Sequence, residues 1–68
     1  MEKITIKGEY LKLEQLLKIG DLVSSGGEAK FFLINNKILV NNEEENRRGR
    51  KLYKGDVVKI LGKTYELC

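Results

Sequence analysis

The sequence predicts an α+β domain in which a helix-loop-helix packs on a small, mainly antiparallel sheet. Three observations carry this. Apolar residues recur at helical spacing twice between Leu13 and Leu33. After Asn36 the period changes to two, in short runs such as Ile38-Leu39-Val40 and Val57-Val58-Lys59-Ile60. Seven glycines and several Asn and Asp punctuate the chain, and proline is absent. Helices grouped before a run of strands indicate helices segregated on one side of a sheet. At 68 residues the expectation is a single domain over 1–68, with roughly 60% of the unfolded surface buried.

Each element has its own warrant. Ile4, Thr5 and Ile6 between charged neighbours predict a first strand that ends at Gly8. Leu13, Leu16 and Leu17 stand at i, i+3 and i+4, with Glu14 and Lys18 as an i, i+4 pair away from that stripe. Gly20-Asp21 closes this helix, and Leu22 and Val23 plug the joint to the next. Ser25-Gly26-Gly27-Glu28 is a capping box, with Glu28 reaching back to Ser25. Ala29, Phe32 and Leu33 share the inner face of the second helix, which Asn35 and Asn36 end in left-handed geometry. Ile38–Val40 is a strand turned by Asn41-Asn42. Residues 43–50 read as an irregular connection, Lys54-Gly55-Asp56 as a turn, and 57–67 as a hairpin around Gly62-Lys63.

Composition narrows the function. The chain has no His and one Cys, at position 68, so no catalytic residue, no metal ligand set and no cofactor is assigned. The motif G-x-x-x-x-G-K-[ST] is absent. No apolar run approaches the roughly 20 residues of a membrane span, and a lone Cys fits a reducing cytoplasm. The formal net charge is +3. Residues 1–34 hold five basic and five acidic side chains; residues 35–68 hold eight and five. The excess concentrates at Arg47, Arg48, Arg50, Lys51 and Lys54, a stretch without an acid that suits a polyanion.

Four segments in order then resemble a known family. Lys12-Leu13-Glu14-Gln15-Leu16-Leu17, Ser24–Lys30, Lys37–Asn42 and Lys54-Gly55-Asp56-Val57-Val58 resemble the RNA-binding domain named after small-subunit ribosomal protein S4. Its pattern runs R-L-D-x-x-L, S-R-S-x-A, G-x-V-x-V-N-G and P-G-D-x-V. With Asn46–Tyr53 included, the chain looks like the short stand-alone bacterial members often labelled YaaA-like. The resemblance implies a helical hairpin (the alpha-L motif) on a small sheet, with structured RNA, for most members ribosomal or transfer RNA, bound along the hairpin and adjoining loop. Three departures stand out: Lys12 replaces the leading Arg, Gly26 replaces the Arg of S-R-S, and Lys54 replaces Pro.

The expected contacts follow. Arg47, Arg48, Arg50 and Lys51 are the main RNA-binding candidates, because guanidinium forks suit phosphate and stack on bases; pairing with Glu43, Glu44 or Glu45 is the competing reading. Lys12 tolerates an unfavourable place at a helix start. Lys30 and Lys37 fall on one helix side with the second helix extended that far. Phe31, opposite the Ala29 face, either stacks on a base or packs under a neighbouring segment. Asn41 and Asn42 are turn residues, and Tyr10, Tyr53 and Tyr65 sheet or rim residues. The function expected is a non-enzymatic module for structured ribosomal RNA, with ribosomal proteins as further partners. The alternative is a protein-interaction adaptor whose basic loop meets an acidic partner. Replacing Arg47, Arg48 and Arg50 together with Glu is expected to abolish RNA binding without unfolding the domain.

Overall fold

A computed structural model describes residues 1–68. The elements are β1 (Glu2–Ile4), β2 (Leu11–Lys12), α1 (Leu13–Ile19), α2 (Gly26–Asn35), β3 (Ile38–Val40), β4 (Glu43–Glu44), β5 (Lys51–Leu52), β6 (Val57–Ile60) and β7 (Lys63–Leu67). Five strands form one sheet in the order β1-β7-β6-β3-β4, and β2 and β5 form a separate two-stranded ribbon. All pairs are antiparallel except β1 with β7. The α+β expectation of a helical hairpin on a mainly antiparallel sheet therefore holds.

The sheet turns where the sequence supplies residues that accept left-handed backbone. Asn41 and Asn42, at φ 52° and 68°, join β3 to β4. Leu61 and Gly62, at φ 49° and 78°, join β6 to β7. Two consecutive left-handed residues match the right-handed twist of the flanking strands, so each loop is a tight hairpin. Asn41 adds a tie: its Oδ1 accepts Val57 N–H at 2.9 Å and its Nδ2 donates to Asp56 Oδ1 at 3.0 Å.

One core binds the two layers. Leu13, Leu16 and Leu17 of α1 and Ala29 and Leu33 of α2 are buried against Ile38, Val40, Val58, Ile60, Tyr65 and Leu67 of the sheet. Val23 is buried and Leu22 packs on the same core, as expected for the plugged joint. At Gly20 a side chain would meet Tyr65: an added Cβ would lie 3.0 Å from Oη.

Several local expectations are corrected. The first strand is Glu2–Ile4, two residues earlier than the apolar triplet. Its partner β7 ends at Leu67, so Ile6 lies beyond the strand, tied by its N–H to the Cys68 carbonyl at 2.7 Å and by burial in the core. Residues 43–50 are not wholly irregular, because the tight Asn41-Asn42 turn brings Glu43 and Glu44 back onto Val40 and Leu39. Helix α2 ends in extended geometry at Asn36 (φ −135°), which folds its own side-chain amide onto Phe32 O at 3.1 Å in place of a left-handed cap. Ser25 Oγ does accept Glu28 N–H at 3.2 Å, but the Glu28 carboxylate takes Ser24 N–H and its hydroxyl and not Ser25. Lys37 lies beyond the helix, so Lys30 and Lys37 do not share a helical face.

Candidate nucleic-acid interface

The basic segment is drawn across the start of α1 by backbone hydrogen bonds. The first N–H groups of any helix lack intrahelical partners. Here Leu13 N–H donates to Arg50 O at 2.8 Å and Glu14 N–H to Arg48 O at 2.9 Å. Lys12 N–H is taken by Gln15 Oε1 at 2.9 Å. The loop thus caps the helix, and its cations are fixed beside Lys12.

Ribbon register then selects what faces outward. Leu11 pairs with Leu52 and Lys12 with Lys51. Side chains alternate along a strand, so the inward pair is Leu11 and Leu52, the latter fully buried. The opposite face carries Lys12 and Lys51 directly across from each other, with Tyr10 and Tyr53 at the ribbon end. The Tyr10 and Tyr53 rings sit 6.2 Å apart at 53°. Lys51 Nζ lies 4.8 Å from the Tyr10 ring centroid, a cation–π contact. Neither Lys12 nor Lys51 makes an ion pair. Like charges directly opposite are unfavourable in a sheet.

The arginines behave differently from one another. Glu45 is buried, and its carboxylate accepts Arg47 Nε at 2.9 Å, Arg47 Nη2 at 3.0 Å and Arg50 Nη1 at 2.7 Å. Two backbone amides, of Asn46 and Arg47, complete the set at 3.1 and 3.0 Å. The Arg47 side-chain hydrogen bonds outweigh burial and, with Arg50, hold the Glu45 carboxyl down at about 2. The competing reading of acid pairing is therefore correct for Glu45, whereas Glu43 and Glu44 make no ion pair. Arg47 remains 71% exposed and Arg50 31%. The expectation that all three arginines can be reversed to Glu without unfolding is corrected: that change would set new acids against a buried one.

Arg48 reaches the other helix. Its Nη1 donates to Gly26 O at 3.0 Å, and its Nε stands 3.8 Å from Glu14 Oε2. A Cβ on Gly26 would lie 3.7 Å from Arg48 Nη1. A cation from the loop thus occupies the space beside the position where the family pattern has arginine. Glu14 pairs with Arg48, not with Lys18 as its spacing suggested.

The remaining candidates stand apart from this assembly. Lys30 is exposed on the outer face of α2. Lys37 borders a hollow of about 280 Å³ with Glu44, Glu45 and Asn46. Phe31 and Ile34, one helical turn apart, are 66% and 68% exposed, so Phe31 does not pack under a neighbouring segment. Sequence reasoning missed Tyr10 and Tyr53 as neighbours of the cations. The contact of Tyr10 with Lys51 and Tyr53 becomes visible only once β2 and β5 are known to pair.

A two-helix hairpin capped by a basic loop and seated on a small sheet defines a class. The chain matches the S4 domain over residues 4–68 and belongs to that family. It is also 56% identical over 59 residues to the "Probable ribosome maturation protein RlbA" of Bacillus subtilis (strain 168), covering 87% of this chain and 83% of that protein.

Proposed function

We propose that this chain is a non-enzymatic RNA-binding module whose partner is structured ribosomal RNA, engaged in the cytoplasm during ribosome maturation. The observation that carries the reading is the unneutralised pair Lys12 and Lys51, opposed in register beside the exposed faces of Arg47 and Arg48. A phosphate backbone offsets their mutual repulsion and binds the guanidinium forks in the geometry they favour. Arg50 is the member most committed to the fold, through Glu45. Lys30 and Lys37 are peripheral contacts in this reading. The name of the Bacillus relative supports the ribosomal context. Binding by shape and backbone charge, without chemistry, fits a chain whose one thiol, Cys68, lies against Ile4 O and Thr5 Oγ1 and no base.

The test is titration of deproteinised ribosomal RNA with the protein across a salt series. The expected result is affinity that falls steeply with salt, and a Lys12→Glu, Lys51→Glu double variant that binds at least tenfold more weakly while melting normally. Wild-type protein that ignores ribosomal RNA but captures an acidic protein would establish the adaptor reading instead.

A further inference from the structure

We propose that the concavity beside the β2–β5 ribbon receives one unpaired ribonucleotide, its base stacked on Tyr53 and its phosphate held by Lys51 and Arg47; this rests on the RNA reading above and specifies what part of the RNA the site takes.

The concavity measures about 450 Å³ and is lined by Arg47, Gly49, Arg50, Lys51 and Tyr53. That volume lies within the roughly 300–1,000 Å³ of small-ligand sites. Four of the five lining residues are a cation or an aromatic ring, and the fifth is Gly49, which has no atom within 4 Å of where its side chain would stand. Backbone and ligand can therefore approach closely at that point.

Tyr53 is 46% exposed, yet it is not loose. Its N–H donates to Asp56 Oδ2 at 2.8 Å, and Leu52 before it is fully buried. Its ring is propped from one side by the tilted Tyr10 ring. Tyr10 also holds Lys51 by its face. One aromatic side chain thus contacts both the platform and the cation next to it, and Tyr53 still borders the concavity.

A duplex would not use this arrangement. Paired bases are stacked on one another, and their phosphates reach cations without presenting a ring face to the protein. Single-stranded loops and bulges present bases that stack on aromatic or guanidinium planes, with the backbone tracked by nearby positive charge. The ribbon supplies both at a spacing of one residue: Lys51 and Tyr53 are the outward neighbours on either side of the inward Leu52.

Two RNA hairpins with the same stem, one fully paired and one carrying a single-nucleotide bulge, separate this site from general binding. The full-length protein is expected to bind the bulged hairpin about tenfold or more tightly, in line with stacking on an aromatic platform. Tyr53→Ala is expected to bring the two hairpins to equal affinity, and Tyr53→Phe to keep the preference, each with a melting temperature near that of the wild type. Fluorescence of 2-aminopurine at the bulge should be quenched by the wild type and by Tyr53→Phe, and not by Tyr53→Ala. Equal wild-type affinity for the two hairpins, or a bulge preference that survives Tyr53→Ala, overturns the inference while leaving the RNA reading intact. Failure of the wild type to bind deproteinised ribosomal RNA overturns that reading, and the nucleotide site with it.

Discussion

Within one basic surface, the arginines of the 47–50 loop and the lysine pair of the β2–β5 ribbon differ in what they face. Arg47 and Arg50 close on the buried Glu45, and Arg48 ties α2 to α1 through Gly26 O and Glu14. Lys12 and Lys51 stand opposite each other without an ion pair, and Lys51 lies over the Tyr10 ring. Density of charge along a sequence therefore does not measure charge available to a ligand. Part of the positive charge shapes the loop, and the remainder is held in place by that shape. The buried carboxylate is the device that separates the two uses.

Removing that device is expected to have the largest effect. Glu45→Ala leaves two guanidinium groups and two amides without their shared acceptor, and should cost about 3 kcal/mol of unfolding free energy in urea, the low end for a broken buried pair because Arg47 is largely hydrated. Acid should act through the same group. The Glu45 carboxyl is lowered in the fold, so its contribution is complete above the ordinary carboxylate value of 4.5 and is lost as pH falls from there toward about 2. A Glu45→Gln variant is expected to flatten that portion of the stability–pH curve, measured by thermal melts from pH 7 to 2.

The lysine side should respond in binding and not in folding. Lys12→Ala with Lys51→Ala is expected to lower the salt slope of RNA binding by about 1.4–1.8, the value for two lost phosphate contacts. Filter binding across a salt series measures it. A smaller effect tests the frame that carries both sides: Ser25→Ala removes the acceptor for Glu28 N–H and should destabilise the chain by about 1 kcal/mol. Smallest of all, relief of the Lys12–Lys51 repulsion in a single Lys12→Ala variant, which leaves the Lys51–Tyr10 contact in place, should raise stability by a few tenths of a kcal/mol. A loss of stability there would mean that Lys12, like the arginines, holds the fold together.

Much of this was legible in the amino-acid sequence, and the exceptions share a cause. The Leu13-Leu16-Leu17 stripe, the Ser25 cap, the Asn41-Asn42 turn and the 57–67 hairpin each announce themselves within a few residues, because local periodicity and turn chemistry determine them. The two-residue strands β2, β4 and β5 are too short to show any period, so the ribbon that organises the candidate site was invisible. Glu45 reads as one of three consecutive acids, yet it alone is drawn in, by its N–H to Ile38 O and by the two arginines over its carboxylate, while Glu43 and Glu44 stay in water. The end of α2 at Asn35 separated Lys30 from Lys37, which a wheel drawn through both had joined. Charge distribution identified the basic loop as the place to look; the division of labour inside it is a property of the three-dimensional register.

The order of the main sheet bears on how the molecule comes into being. Its opening strand lies parallel to its closing one, and the backbone of the final residue is bonded to Ile4 and Ile6. Those contacts join segments more than sixty residues apart, so the hairpins and the helix pair are free to form from local contacts while the β1–β7 edge closes late in folding.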